Sequence, residues 1–96
     1  SNRSEPYDTL GNIYIALGQY DEAEKYLVEG LKYALSARSR VTMVLAQINL
    51  DLARGERDEA RSKLLDIRAL VRAMPTRDVG LEANIDAIEE KINSDG

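Results

Sequence analysis

A chain of 96 residues, 44 % hydrophobic and 31 % charged with a net charge of −4, has the balance of a small helix-rich globular domain and not of a disordered tail. It contains neither cysteine nor histidine, which removes disulfides, the usual metal-ligand clusters and the Ser-His and Cys-His nucleophile pairs. The longest apolar run, "IYIAL" at 13–17, is too short for a membrane span or a signal-peptide core, so the default compartment is the cytoplasm.

In chain order, Tyr7, Leu10, Tyr14 and Leu17 recur at helical spacing and predict a first helix that ends at Gly18. Asp21 is placed to cap a second, with Ala23, Leu27, Leu31 and Ala34 along one face. Val41, Val44, Leu45, Ile48 and Leu52 mark a third helix that stops near Gly55. A fourth starts at about Asp58, buries Ala60, Leu64, Ile67, Val71 and Met74, and is broken by Pro75. The fifth carries one stripe, Leu81, Ile85, Ile88 and Ile92. No stretch alternates with period two, so the fold class is all-α. The segment "LSARSR" (35–40) has neither Gly nor Pro. It leaves open two outcomes: fusion of the second and third helices into one swapped rod, or a stop and restart at Ser36 and Ser39.

The stretch "LGQYDEAEKYL" (17–27) is echoed by "RGERDEARSKL" (54–64). A shift of 37 carries Gly18 to Gly55, Asp21 to Asp58, Ala23 to Ala60 and Leu27 to Leu64. It also carries Val44 to Leu81 and Ile48 to Ile85, which places the last helix at the start of a third unit. A fixed period of helical hairpins is the mark of a solenoid. In each unit glycine allows a left-handed exit from the first helix, aspartate caps the next, and alanine permits close helix approach.

With Tyr7, Leu10, Gly11, Tyr14, Gly18, Tyr20, Ala23 and Leu27 in place and the small Gly30 behind them, residues 4–37 resemble a tetratricopeptide repeat. Residues 38–75 match the pattern only through Gly55, Asp58, Ala60 and Leu64, with Ile48 and Asp51 departing from it. The resemblance implies a single domain over 1–96 built from repeats 4–37 and 38–75 and a capping helix 76–93, either alone or as part of a longer regulator or adaptor. Gly30 is then expected against a neighbouring helix. The five tyrosines, Tyr7, Tyr14, Tyr20, Tyr26 and Tyr33, all lie in the first unit. They read mainly as repeat core, with Tyr33 the loosest.

Charge is uneven. The first unit carries −4, the middle unit +3 and residues 76–96 carry −4. The basic block (Arg38, Arg40, Arg54, Arg57, Arg61, Lys63, Arg68, Arg72) is spread round two helices and has no aromatic residues among it. Ion pairing between units accounts for it more simply than a nucleic-acid surface does.

Arrays of this kind hold peptides or helices in the groove formed by the first helix of each repeat. The resemblance therefore implies a non-catalytic protein-interaction module with no cofactor and no metal. Its groove residues would be Glu5, Asp8, Asn12 and Ile15 in the first unit, with Ala16 beside them. Thr42, Leu45, Asn49 and Leu52 follow in the second, with Ala53, and Glu82 and Asp86 in the last helix, with Val79 and Glu89. Asp8 and Leu45 stand where carboxylate-clamping members have lysine. Acidic ends round an apolar centre suit a basic or amphipathic protein segment. Two other readings are self-association as a dimer through an uncapped N-terminal end, and a small-ligand sensor segment of a bacterial regulator.

Overall fold

The structure, a computed structural model, describes residues 5–94, with side chains from Pro6 onward. Five helices follow one another: α1 (Glu5–Ala16), α2 (Tyr20–Leu31), α3 (Ala37–Ala53), α4 (Arg57–Arg72) and α5 (Val79–Ser94). No strand occurs among the described residues. The 37-residue shift holds at the hairpins, since α2 and α4 begin 37 residues apart and the two turns share one geometry. Gly18 and Gly55 have φ of +75° and +76°. Gln19 N–H donates to the Tyr14 carbonyl at 2.9 Å and Gly18 N–H to that of Ile15 at 3.0 Å. Glu56 to Asp51 and Gly55 to Leu52 repeat the pair. This two-bond closure satisfies carbonyls that a helix end leaves open, and it needs a left-handed residue that glycine supplies without Cβ strain.

The expected aspartate caps are displaced. The residues before α2 and α4 are Gln19 and Glu56, and neither side chain caps its helix. Asp21 and Asp58 sit inside the first turn instead, where their charge meets the positive end of the helix dipole. Side-chain caps occur at the other two junctions. Ser36, in extended conformation, accepts from Ser39 N–H at 3.0 Å and starts α3, so α2 and α3 are separate helices and not one rod. Asp78 accepts from Leu81 N–H at 3.0 Å ahead of α5 and also from Arg38 Nε at 2.8 Å.

The Leu81 amide, and then the Arg38 guanidinium, favour the charged form of Asp78 and hold its carboxyl below the usual carboxylate range. A folded pKa below the unfolded one contributes stability above the unfolded value, about 4, and loses it as pH falls through the folded value. The unfolding midpoint should therefore fall more steeply between about pH 5 and pH 3 in the native chain than in Asp78→Asn. Parallel pH profiles would show that the cap carries no such charge dependence.

Two apolar clusters hold the helices together. The first joins Ala23, Leu27 and Ala34 to Met43, Ala46 and Leu50 of α3, with Tyr7, Tyr14, Ile15 and Tyr20 against it. The second joins Val41 and Ile48 of α3 to Ala60, Leu64 and Ile67 of α4 and to the whole stripe of α5. Met43, Ala46 and Leu50 are core residues that the single-face reading of α3 missed: a helix between two neighbours is apolar on two sides. Leu17, expected inside, is 61 % exposed. The tyrosines stack in pairs, Tyr7 on Tyr33 with ring centroids 5.7 Å apart and Tyr14 on Tyr26 at 5.3 Å.

Most of the basic block is matched by acids. Arg54 pairs with Asp21 at 3.0 Å and with Glu24, tying α3 to α2. Arg68 reaches Asp86 at 3.0 Å and Glu89, tying α4 to α5. Lys63 meets Asp51 at 2.5 Å inside the second hairpin, where Asp51 is only 7 % exposed. Lys63→Ala should cost about 1–3 kcal/mol in a denaturant melt, because it strands a buried carboxylate. Arg61→Ala removes an exposed pair with Asp58 at 3.6 Å and should change stability by less than about 0.5 kcal/mol. Equal effects would mean that water solvates Asp51 once Lys63 is gone.

Candidate functional site

α1, α3 and α5 lie side by side, whereas α2 and α4 make no contact with each other among the described residues. Helices close on one side and splayed on the other curve the slab toward α1, α3 and α5. An open cleft of about 360 Å³ lies on that side. From α1 it receives Asp8 and Asn12. From α3 it receives Thr42, Leu45, Ala46 and Asn49. α5 adds Asn84, Ala87, Ile88 and Lys91.

Local bonds fix part of this lining. Asn12 Nδ2 donates to Asp8 Oδ1 at 3.2 Å, which orients both groups and leaves the Asn12 carbonyl oxygen as an acceptor. The Thr42 hydroxyl donates to the Arg38 carbonyl at 3.0 Å, one turn back. Leu45 is half-buried: it packs on the second cluster with one edge and forms the cleft floor with another.

Of the groove positions expected from sequence, Asp8, Asn12, Thr42, Leu45 and Asn49 come together in the cleft. Ile15 and Leu52 do not line it, since they pack against the first and second clusters. Glu5 lies outside the residues whose side chains are described. Glu82 and Asp86 are corrections. Glu82 accepts from Arg77 at 2.9 Å and Asp86 from Arg68 at 3.0 Å, and both border a second cleft at the α4–α5 junction with Val71 and Met74. Glu89, bonded to Arg68, leaves the groove with them.

The cause is a slip in register. Met43, Ala46 and Leu50 are the α3 residues that face the preceding hairpin. Leu81, Ile85 and Ile88 do the same in α5, at offsets of 38, 39 and 38 residues. One residue turns a helix by about 100°, so adding 37 selects the wrong face of α5. An offset of 39 carries Leu45 to Asn84, and one of 38 carries Asn49 to Ala87, both of which line the cleft. The missed residues, Asn84 and Lys91, were legible only from the phase of the 81–92 stripe relative to the α3 face that meets the first hairpin.

No three His, Cys, Asp or Glu residues gather to hold a metal ion among the described residues. No helix of the described residues is long and apolar enough to cross a membrane. Stacked helical hairpins with a lined inner face define a helical-repeat protein. Residues 4–36 match the family model for the tetratricopeptide repeat. Members of the family are typically non-catalytic, and their repeats generally mediate protein–protein interaction. No curated protein and no solved structure matches the chain.

Proposed function

We propose that this chain is a non-catalytic protein-interaction module that holds an extended or helical segment of a partner in the α1–α3–α5 cleft. Repeats 4–37 and 38–75 and the closing helix 76–93 act as one unit in this reading. The observation that carries it is the convergence of three asparagines, Asn12, Asn49 and Asn84, one from each inner helix, beside an apolar floor. An amide can donate to and accept from a peptide backbone, so three of them can hold a main chain whatever its side chains are. Leu45, Ala46, Ala87 and Ile88 offer a shallow apolar seat between them.

The test is selection of a binding peptide from a displayed library, followed by titration of variants. Asn49→Ala and Leu45→Ala should weaken binding by about tenfold, equivalent to about 1.4 kcal/mol, while the fold survives by circular dichroism. Arg61→Ala, on the outer helix α4, should leave affinity unchanged. Loss with Arg61→Ala and none with Asn49→Ala would move the site to the outer surface.

One observation favours a second reading, self-association. Ile13 lies 37 residues before Leu50, which the first hairpin covers, and is 48 % exposed. Light scattering on the native chain and on Ile13→Asp decides it: a dimer lost in the variant supports the reading, and a native monomer removes it.

A further inference from the structure

The connection from α4 to α5 has six residues, 73–78, against five, 32–36, between α2 and α3. Beside it opens the second cleft, of about 360 Å³. We propose that this cleft binds a small aliphatic monocarboxylate, its carboxylate paired with Arg72 and its tail laid on Val71, Met74 and Ile85. The site shares no lining residue with the α1–α3–α5 cleft and does not depend on the groove reading.

An apolar floor and one unmatched cation make the case. Val71 and Met74 are half-buried, packing on the second cluster and bordering the cleft, and Ile85 closes the floor. Small-molecule sites occupy roughly 300–1,000 Å³ and set a few polar groups round such a floor. Three arginines line the cleft. Arg68 is taken by Asp86 and Glu89, and Arg77 by Glu82. Arg72 is exposed and makes no ion pair or hydrogen bond among the described residues. Its planar fork of donors is therefore available to a carboxylate. Thr76, in the same lining, adds a hydroxyl donor.

The charges also give the ligand a direction. Both lining acids, Glu82 and Asp86, stand on α5, whereas Arg72 and Thr76 belong to α4 and the connection. A bound acid thus keeps its carboxylate at the α4 rim and points its tail toward α5. A second carboxylate at the far end of the tail would face Glu82 and Asp86. An ammonium in place of the carboxylate would face Arg72. Each arrangement sets like charges together, and such rejection decides specificity. Packed helix axes stand roughly 8–10 Å apart, a distance that a tail of about six to eight carbons spans. An anion without a tail gains only an exposed ion pair, which contributes little in water.

The native chain is titrated with octanoate, octanol, octylammonium, octanedioate and acetate, and the Met74 methyl and Arg72 Nε–H signals are followed by NMR. Octanoate should shift both signals to saturation and bind about tenfold more tightly than each of the others. Arg72→Gln, with its fold checked by circular dichroism, should lower octanoate affinity to that of octanol. Arg61→Gln, on the same helix but outside the cleft, should leave it unchanged. If octanoate and octanol bind alike, or Arg72→Gln changes nothing, Arg72 serves only the negative end of α4 and the carboxylate assignment is wrong. If octanoate leaves the Met74 methyl in place, or shifts it without saturating, the cleft is not a ligand site.

Discussion

Gly30→Ala is expected to destabilise the fold by about 1–3 kcal/mol, and Gly30→Leu by more, measured as a lower urea midpoint. Helix propensity alone argues for the opposite sign, since alanine is better than glycine inside a helix by about 1 kcal/mol. Packing decides against it. A Cβ at residue 30 would stand 2.5 Å from Tyr7 Cβ and 2.7 Å from Met43 Cε. The Met43 methyl can swing away, but Tyr7 Cβ moves only if α1 shifts against α2. That shift would also disturb the Tyr7–Tyr33 stack. Gly80→Ala is the control. Its Cβ meets nothing nearer than Asp78 Oδ1 at 3.7 Å, so it should be neutral or stabilising by up to about 1 kcal/mol. Matching midpoints for Gly30→Ala and the native chain would mean that the α1–α2 contact yields at little cost.

Leu81→Ala and Ile85→Ala should each cost about 2–5 kcal/mol. Both side chains are almost fully buried, at 2 % and 1 % exposed, and both close the second cluster over Val41, Ile48 and Ile67. Small domains have total stabilities of only about 5–15 kcal/mol, so the pair together should leave little folded protein. Hydrogen exchange locates the damage: protection should fall first in α4 and α5. A truncation before Thr76 that proved as stable and monodisperse as the whole chain would overturn the closing role of α5.

Helix number, the two glycine turns and the stripe of α5 were legible in the sequence because each depends on local chemistry. Gly18 and Gly55 announce left-handed exits, and Leu81, Ile85, Ile88 and Ile92 announce a buried face. What could not be read locally was which neighbour a face meets. Met43, Ala46 and Leu50 look like filler beside Val41 and Ile48 until α3 is seen to lie between two partners. Glu82 and Asp86 were placed in the groove by carrying the 37-residue period one unit too far. The α4–α5 connection breaks that period, and a slip of one or two residues exchanges a carboxylate wall for Asn84 and Lys91. The displaced caps have a similar origin: a two-bond helix exit fixes where the next helix begins, so Asp21 and Asp58 fall inside it.

The position of α3 has a consequence for how the molecule comes apart. Its Met43, Ala46 and Leu50 belong to one cluster and its Val41 and Ile48 to the other, so neither cluster can dissolve without losing a wall it shares. In a linear array, coupling between adjacent units determines whether the ends melt separately or together. Here that coupling runs through a single rigid strut of 17 residues. Loosening of the first hairpin is therefore felt as lost order at the far end, and a ligand that clamps α3 raises the cooperativity of the entire chain.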